Sequence, residues 1–263
     1  MAWVIDLDGV VRLGRRRITG APEAIAALRA AGHRVVFATN NSNDTGAEVE
    51  AQLRSMGVPA RGAVVTSAAA AAVLIEPGER VQVCGGPGVL EAVEARGATV
   101  VGPDDRADAV VVGFHRSFDY EAMTAAVRAV LDGARLVATN DDRTYPTPDG
   151  PAPGAGAILA SVVAATDVAP VVAGKPHPPM ATAIREHLAT RYGASGDPTI
   201  VVGDRPDTDG ALARALGVPF ALVLSGITAD EDLPGPDRPA LVAPDLAAVV
   251  ARLVPGQPVR ARL

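Results

Sequence analysis

The chain of 263 residues has one cysteine, Cys84, no excess of basic residues and no long apolar run. A single cysteine excludes an intrachain disulfide framework and is typical of a reducing compartment. Cys84 lies at the end of a predicted strand, so we expect it to be buried and unreactive. A net charge of −6 at pH 7 leaves no overall positive field that would recruit nucleic acid or an acidic membrane surface.

Two further absences concern membranes and export. No stretch of about 18 uncharged apolar residues is present, so no membrane span is predicted. Asp6 and Asp8 fall where a signal peptide needs its apolar segment, and we expect a cytoplasmic protein. Hydrophobic residues make up 48% of the chain, which is enough for one large domain or two moderate ones with a real core.

Strand-like and helix-like segments alternate along the chain, the pattern of an α/β protein with a parallel sheet. From about residue 80 the alternation forms a small unit of its own. We therefore predict a main domain made of residues 1–79 and 169–263, with an inserted domain at residues 80–168. Proline and glycine crowd the stretch from Tyr145 to Gly156, which we interpret as a functional loop facing the main domain. The loop from Asn140 to Gly156 is the candidate substrate-facing segment.

The first predicted strand ends in a pair of carboxylates. The apolar run 2–5 is followed by Asp6-Leu7-Asp8-Gly9. Alternate residues of a strand share a face, so the two aspartates would point the same way if the strand continued. Like charges this close persist only if a cation lies between them or one carboxyl stays protonated. The alternative is a turn with two solvated acids.

The second predicted strand, residues 34–38, ends in six consecutive small polar residues, 39–44. They lead into the next predicted helix and cap it, but capping needs only one such residue. Neutral donors beside a helix N-terminus can also hold a phosphate group. The excess of polar residues favours an anion-binding site.

Two later strand ends carry a lysine and a second acidic cluster. Lys175 lies between Gly174 and Pro176, after a predicted strand of the main domain, although an ordinary surface lysine is the alternative. The strand 199–202 ends in a segment with Asp204, Asp207 and Asp209. Carboxylates of this kind suit Mg²⁺, and the alternative is a capped turn before the helix at 211–216.

Because the carboxyl ends of parallel strands lie along one edge of a sheet, we expect these four strand ends to come together. Together they supply a nucleophile, metal ligands and holders for an anion. This combination suits phosphoryl transfer.

The four segments, in this order, resemble the four motifs of the haloacid dehalogenase (HAD) superfamily. The motifs are Asp6-Leu7-Asp8-Gly9-Val10, Thr39-Asn40-Asn41-Ser42, Gly174-Lys175-Pro176, and Gly203-Asp204 with Asp209. Within the superfamily, the chain is similar to the NagD-like and 4-nitrophenylphosphatase-type group, subfamily IIA. The resemblance implies a Rossmann-like parallel-sheet core with an inserted smaller α/β cap domain of the C2 type.

The resemblance also implies a role for each motif residue. Asp6 would be the nucleophile that forms an aspartyl-phosphate, and Asp8 would be the general acid and base. Lys175 would neutralise charge on Asp6 and on the phosphate. Mg²⁺ would be held by the Asp6 carboxylate, the Asp8 backbone carbonyl and Asp204, with Asp209 supporting the metal from nearby. The phosphate would be bound by Thr39, Asn40 and Asn41.

The function implied is a Mg²⁺-dependent phosphatase acting on a small phosphorylated metabolite, with a homodimer formed through the cap. Candidate substrates are p-nitrophenyl phosphate, glycerol 3-phosphate, phosphoglycolate, nucleoside monophosphates and sugar phosphates. A phosphotransferase or mutase would share the motifs, and a catalytically silent phosphate-binding regulator would be expected to have lost Asp6 or Asp8. One departure is Asn43-Asp44, where the group often has a basic residue. His177 and Arg143 are candidates to replace that cation, although a structural role is favoured for His177.

Overall fold

A computed structural model of the chain describes residues 1–147, 150–193, 197–228 and 239–254. The chain divides into two compact units. The first unit comprises Met1–Thr39, Val49–Val65 and Ile184–Leu263, and the second comprises Asn40–Glu48 and Thr66–Ala183. Within the described ranges, no helix combines the length and apolarity needed to cross a lipid bilayer.

The first unit is built on a six-stranded sheet with the strand Ala2–Asp6 near its centre. In spatial order the strands are β15 (Leu241–Ala243), β14 (Phe220–Val223), β13 (Pro198–Gly203), β1 (Ala2–Asp6), β4 (Arg34–Thr39) and β5 (Val64–Thr66). β1 pairs in parallel with both β13 and β4, and all five of its residues are buried. Burial on both faces explains why this strand is an uninterrupted apolar run rather than an alternating one.

Helices and a short hairpin complete the first unit. The helices are α1 (Ala21–Ala30), α2 (Gly46–Ser55), α7 (Pro178–Tyr192), α8 (Ala211–Leu216) and α9 (Leu246–Leu253), with a π-helix at Pro206–Gly210 and a hairpin of β2 (Arg12–Leu13) and β3 (Arg16–Arg17). The first residues of α2, up to Glu48, and of α7, up to Ala183, belong to the second unit. α1 begins with proline in its first turn and buries Ile25 and Leu28. These two side chains join Ile5 and Phe37 in one apolar core.

The second unit contains a five-stranded, entirely parallel sheet. Its strands, in spatial order, are β12 (Val171–Val172), β9 (Arg135–Ala138), β8 (Ala109–Val112), β6 (Arg80–Cys84) and β7 (Thr99–Val101). Its helices are α3 (Ser67–Ala72), α4 (Pro87–Ala95), α5 (Tyr120–Leu131) and α6 (Ala155–Thr166). α5 packs against α6, and the two share a buried cluster with β8 and β9.

The α/β class with parallel sheets is confirmed, but two local predictions need correction. Val171–Val172 was expected in the main sheet, and instead it pairs with β9, the preceding strand of the parallel five-stranded sheet. Much of the predicted loop at 140–156 is a hairpin of β10 (Thr144–Thr147) and β11 (Gly150–Pro153), followed by α6. Positions 148 and 149 of that loop lie outside the described residues. The domain boundaries given above and the functional role of the loop stay predictions.

Candidate functional site

Three buried carboxylates lie together in the first unit. Asp6 ends β1, Asp204 follows the neighbouring β13, and Asp209 lies in the π-helix. One carboxylate oxygen from each lies within 4.8 Å of the others. Three acids this close, all buried, need a cation or bound protons to offset their repulsion. Hard oxygen donors of this kind match the ligands that Mg²⁺ prefers, so the residues present fit that ion.

The Asp204 side chain is enclosed by two glycines. A Cβ atom at Gly9 or at Gly226 would overlap the Asp204 carboxylate, and Gly9 also has a positive φ of 87°. The backbone N–H of Ile227 donates a hydrogen bond to Asp204 Oδ2 at 2.8 Å. Ser225 Oγ donates to the Gly9 carbonyl at 2.6 Å. The segment 225–227 was not predicted as part of the site, although a Ser-Gly pair directly after an apolar strand was a usable signal.

In the second acidic cluster, Asp209 is buried and Asp207 is exposed. Asp209 accepts a hydrogen bond from the Arg205 backbone N–H at 3.2 Å and fits against Gly203, where any Cβ atom would overlap it. Asp207 is 67% exposed and pairs with the Arg205 guanidinium at 2.7 Å. This hydrogen bond lowers the pKa of the Asp207 carboxyl below its ordinary value. The π-helix, a conformation often found at functional sites, therefore turns Asp209 inward and leaves Asp207 in solvent.

Asp8 and Thr39 complete the predicted residues of the first unit. Asp8 lies just beyond β1 with its side chain 50% exposed, and it forms an ion pair with the buried Arg12. Thr39 is buried at the end of β4, which pairs with β1 up to the Asp6–Ala38 register. The expectation of a common sheet edge thus holds for β1, β4 and β13. It is wrong for Lys175, because the strand before it belongs to the other sheet.

In the second unit, Lys175 is buried and its backbone is held by Asn40. Asn40 Oδ1 accepts a hydrogen bond from the Lys175 N–H, and Asn40 Nδ2 donates to the Lys175 carbonyl, both at 2.9 Å. Asn40 Nδ2 also donates to Asp142 Oδ2 at 2.9 Å. A Cβ atom at Gly174 would come within 2.7 Å of Asn40 Oδ1, so the close approach requires glycine.

Two further side chains hold the backbone carbonyl of Asn40. Its carbonyl accepts hydrogen bonds from Ser67 Oγ at 2.7 Å and from Asn140 Nδ2 at 2.8 Å. Asn140 Oδ1 in turn accepts from the Asp142 N–H at 3.2 Å. Ser67, Asn140 and Asp142 were not predicted as part of this arrangement. The repeated Ala-Thr-Asn at 38–40 and 138–140 was the available signal.

The rest of the polar segment folds on itself. Asn41 Oδ1 accepts hydrogen bonds from the backbone N–H groups of Asn43 and Asp44, and Asn41 Nδ2 donates to the Asp44 carboxylate. Ser42 Oγ accepts from the Phe114 N–H at 3.1 Å.

The predicted capping of α2 by the segment 39–44 is wrong. The cap is formed by Thr45 and Glu48, which exchange hydrogen bonds between side chain and backbone. Those six residues are therefore not needed to start the helix.

His177 was the candidate replacement for a missing cation. Its Nε2 lies 3.0 Å from Asp141 Oδ2 in an ion-pair geometry. Arg143, the other candidate, is exposed. His177 thus pairs with a carboxylate, and the structural role favoured for it stays a prediction.

Comparison with known proteins places this geometry in a family. A model described as haloacid dehalogenase-like hydrolase matches residues 3–99, and one described as HAD-hydrolase-like matches residues 172–249. D-glycerol 3-phosphate phosphatase of Mycobacterium tuberculosis is 38% identical over 257 residues, which cover 94% of this chain and 70% of that protein. The chain belongs to the haloacid dehalogenase-like hydrolases.

Solved structures of this family share the whole fold. A p-nitrophenyl phosphatase from Archaeoglobus fulgidus is 33% identical with a TM-score of 0.85, and the match covers 96% of this chain and 98% of that one. A glycerol phosphate phosphatase from Mycobacterium tuberculosis, crystallised in complex with magnesium, is 37% identical with the same TM-score, covering 94% of this chain and 76% of that one. The HAD fold with its cap is thereby established for this chain.

Proposed function

We propose that the protein is a Mg²⁺-dependent phosphatase that hydrolyses small phosphate monoesters. The observation that carries the proposal is the buried group of Asp6, Asp204 and Asp209. Three adjacent carboxylates offer a metal site, and one of them, Asp6, is also the first residue of the first motif. The similarity to a glycerol phosphate phosphatase and a p-nitrophenyl phosphatase supports the same chemistry.

In the proposed reaction, a carboxylate oxygen of Asp6 attacks phosphorus and the bond to the ester oxygen breaks. Asp8 donates a proton to the departing oxygen, which leaves as an alcohol. Water then attacks the phosphorus of the aspartyl-phosphate, Asp8 takes a proton from it, and inorganic phosphate leaves with Asp6 restored. The half-exposed position of Asp8 is compatible with both proton transfers.

The metal would be held by the carboxylates of Asp6 and Asp204 and by the Asp8 backbone carbonyl, with Asp209 beside them. Bound Mg²⁺ supplies positive charge that screens the repulsion between the nucleophile and the phosphoryl oxygens. The hydrogen bond from Ile227 and the two enclosing glycines hold Asp204 in one orientation. A ligand fixed in this way has little rotamer freedom left to lose when the ion binds.

Phosphate recognition is assigned to Thr39, Asn40 and Asn41, with Lys175 as the cation. For Asn40 the backbone N–H is the proposed contact, since its side chain already binds Lys175 and Asp142. The Asn41 side chain is engaged within its own turn, which makes its backbone the better candidate as well.

The proposed protein has two domains, forms a dimer and is cytoplasmic. Residues 1–79 and 169–263, apart from β12, which pairs in the other sheet, would form the catalytic core. Residues 80–168 would form the cap, with the segment 140–156 facing the substrate. Dimerisation through the cap and a cytoplasmic location are proposed from the family resemblance and from the single cysteine.

The test is phosphate release from a panel of esters: p-nitrophenyl phosphate, glycerol 3-phosphate, phosphoglycolate, a sugar phosphate and a nucleoside monophosphate. We expect turnover that requires Mg²⁺, stops with chelator and falls by at least ~10³-fold in Asp6→Asn. Asp207→Asn is the matched control, because this aspartate is exposed and paired with Arg205. Turnover that persists in Asp6→Asn would contradict the mechanism. Transfer to an added alcohol without release to water would favour a phosphotransferase.

A further inference from the structure

We propose that Arg12 is a positioning residue for Asp8, holding the carboxyl group so that it can protonate a basic leaving group. The inference rests on the proposed function and adds a residue that the four motifs do not contain. Its basis is an ion pair in which one partner is buried and the other is open. The Arg12 side chain is 7% exposed, whereas that of Asp8 is 50% exposed.

The Arg12 guanidinium is anchored at both ends. Its Nε lies 3.2 Å from Asp8 Oδ1, and its Nη2 lies 3.5 Å from Asp8 Oδ2. Its Nη1 donates a hydrogen bond to Gln52 Oε1 at 2.7 Å. Gln52 lies in α2, so the anchor is part of regular secondary structure. Both carboxylate oxygens of Asp8 therefore face the anchored guanidinium, while half of the Asp8 side chain stays exposed.

The backbone between the two residues is also fixed. The Leu7 carbonyl accepts hydrogen bonds from the N–H groups of Val11 and Arg12 at 2.9 and 3.0 Å. The Gly9 N–H donates to the Arg12 carbonyl at 2.8 Å, and the positive φ of Gly9 allows this tight turn. The distance between Asp8 and Arg12 is thus set by the turn rather than by two mobile side chains.

One feature distinguishes this pair from an ordinary surface ion pair. Arg12 Nε is buried and close to Asp8 Oδ1, yet the two are not aligned as a hydrogen bond. An ion pair between two exposed side chains would contribute little to stability. A buried arginine held by Gln52 instead restricts the Asp8 carboxyl to a few orientations.

The effect of misplacing Asp8 on the cleavage rate depends on the leaving group of the ester. A p-nitrophenolate leaves readily without a proton, whereas the alkoxide of glycerol needs one as its bond to phosphorus breaks. A misplaced Asp8 should therefore slow the cleavage of glycerol 3-phosphate much more than that of p-nitrophenyl phosphate. A residue that only stabilises the fold would lower both rates by the same factor.

The experiment compares kcat/KM for these two esters in Arg12→Ala, Arg12→Lys and Gln52→Leu, with Asp8→Asn as the reference. Because kcat/KM reports the steps up to aspartyl-phosphate formation, it excludes the later hydrolysis of that intermediate. Arg16→Ala is the matched control, since Arg16 is exposed in the neighbouring hairpin. The emission of the single tryptophan, Trp3 in buried β1, verifies folding of each variant.

We expect Arg12→Ala to lose about tenfold or more on glycerol 3-phosphate and less than about threefold on p-nitrophenyl phosphate. Gln52→Leu should show the same pattern more weakly, and Arg12→Lys should restore part of the loss. Equal losses on both esters in the folded variants would overturn the inference while leaving the proposed function intact. A wild-type protein that cleaves none of the esters in the panel would overturn both.

Discussion

The side-chain amide of Asn40 pairs with both backbone polar groups of Lys175, at 2.9 Å for each hydrogen bond. Asparagine here acts as a neighbouring peptide group would in a sheet, offering one acceptor and one donor at the right spacing. The lysine of the third motif is thus fixed by the side chain of the second motif, 135 residues earlier in the chain.

Substituting Asn40 should therefore disturb Lys175. In Asn40→Asp, a carboxylate oxygen would replace the amide N–H₂ and face both the Lys175 carbonyl and the Asp142 carboxylate. We expect a loss of about 1–3 kcal/mol in the free energy of unfolding, because buried acceptors lose their donor. Denaturant unfolding measures this loss, and phosphate release should fall with it. Asn43→Ala is the control, since it removes one hydrogen bond to the half-buried Asp44. An Asn40→Asp protein as stable as wild type would show that the pairing is not needed.

Because Asp6, Asp204 and Asp209 lie together, we expect Asp209→Asn to stabilise the protein without metal and to weaken its stabilisation by Mg²⁺. Asp209→Asn removes a negative charge beside Asp6 and Asp204, so the melting temperature in chelator should rise. The increase in melting temperature on adding Mg²⁺ should be smaller than in wild type. At a Mg²⁺ concentration a hundredfold above Kd, wild type gains ~2.7 kcal/mol of stability, and a protein with a weakened site gains less. Thermal unfolding followed by Trp3 emission measures both. Asp207→Asn should leave the Mg²⁺ response unchanged, and an Asp209→Asn protein with the full Mg²⁺ response would exclude Asp209 from the site.

The enclosure of Asp204 predicts a strong effect from one added methyl group. In Gly226→Ala, the new Cβ atom would overlap the Asp204 carboxylate and displace it from the Ile227 N–H. We expect a loss of about 1–3 kcal/mol in stability and weaker Mg²⁺ binding measured by calorimetry. Gly46→Ala is the control, because its nearest neighbour atom would be Glu91 Oε1 at 4.0 Å. Equal Mg²⁺ affinity in the two variants would argue against a fixed Asp204.

Local sequence patterns predicted the strand ends well and their three-dimensional grouping less well. Asp6, Thr39 and Asp204 lie at the predicted edge, because apolar runs followed by polar residues mark where a buried parallel strand leaves its sheet. The assignment of Val171–Val172 failed because a two-residue strand carries no pattern that says which of two parallel sheets it joins. The contacts of Ser67, Asn140 and Arg12 were not predicted, for a different reason. Their contacts depend on tertiary packing, which residue spacing along the chain does not encode.

The last prediction concerns Cys84, which ends β6 and is buried, as the sequence indicated. Its Sγ lies 3.8 Å from His115 Nε2. Burial, with a smaller contribution from the negative charge of Asp119, raises the pKa of the Cys84 thiol to about 11. The folded state therefore favours the neutral thiol. The stability that this provides is complete below the ordinary pKa of 9.0 and is lost as the pH rises through about 11.

Two measurements test this prediction. Iodoacetamide should label Cys84 slowly in the native protein at pH 8 and rapidly in denaturing urea, because the thiolate is the reactive form. Between pH 9 and about 11, the free energy of unfolding should fall more steeply in wild type than in Cys84→Ala, since the variant lacks the thiol that ionises only on unfolding. Comparing the two proteins at each pH cancels the titration of other groups. Fast labelling of the native protein at pH 8, or parallel stability curves, would show that Cys84 is not held in its neutral form by the fold.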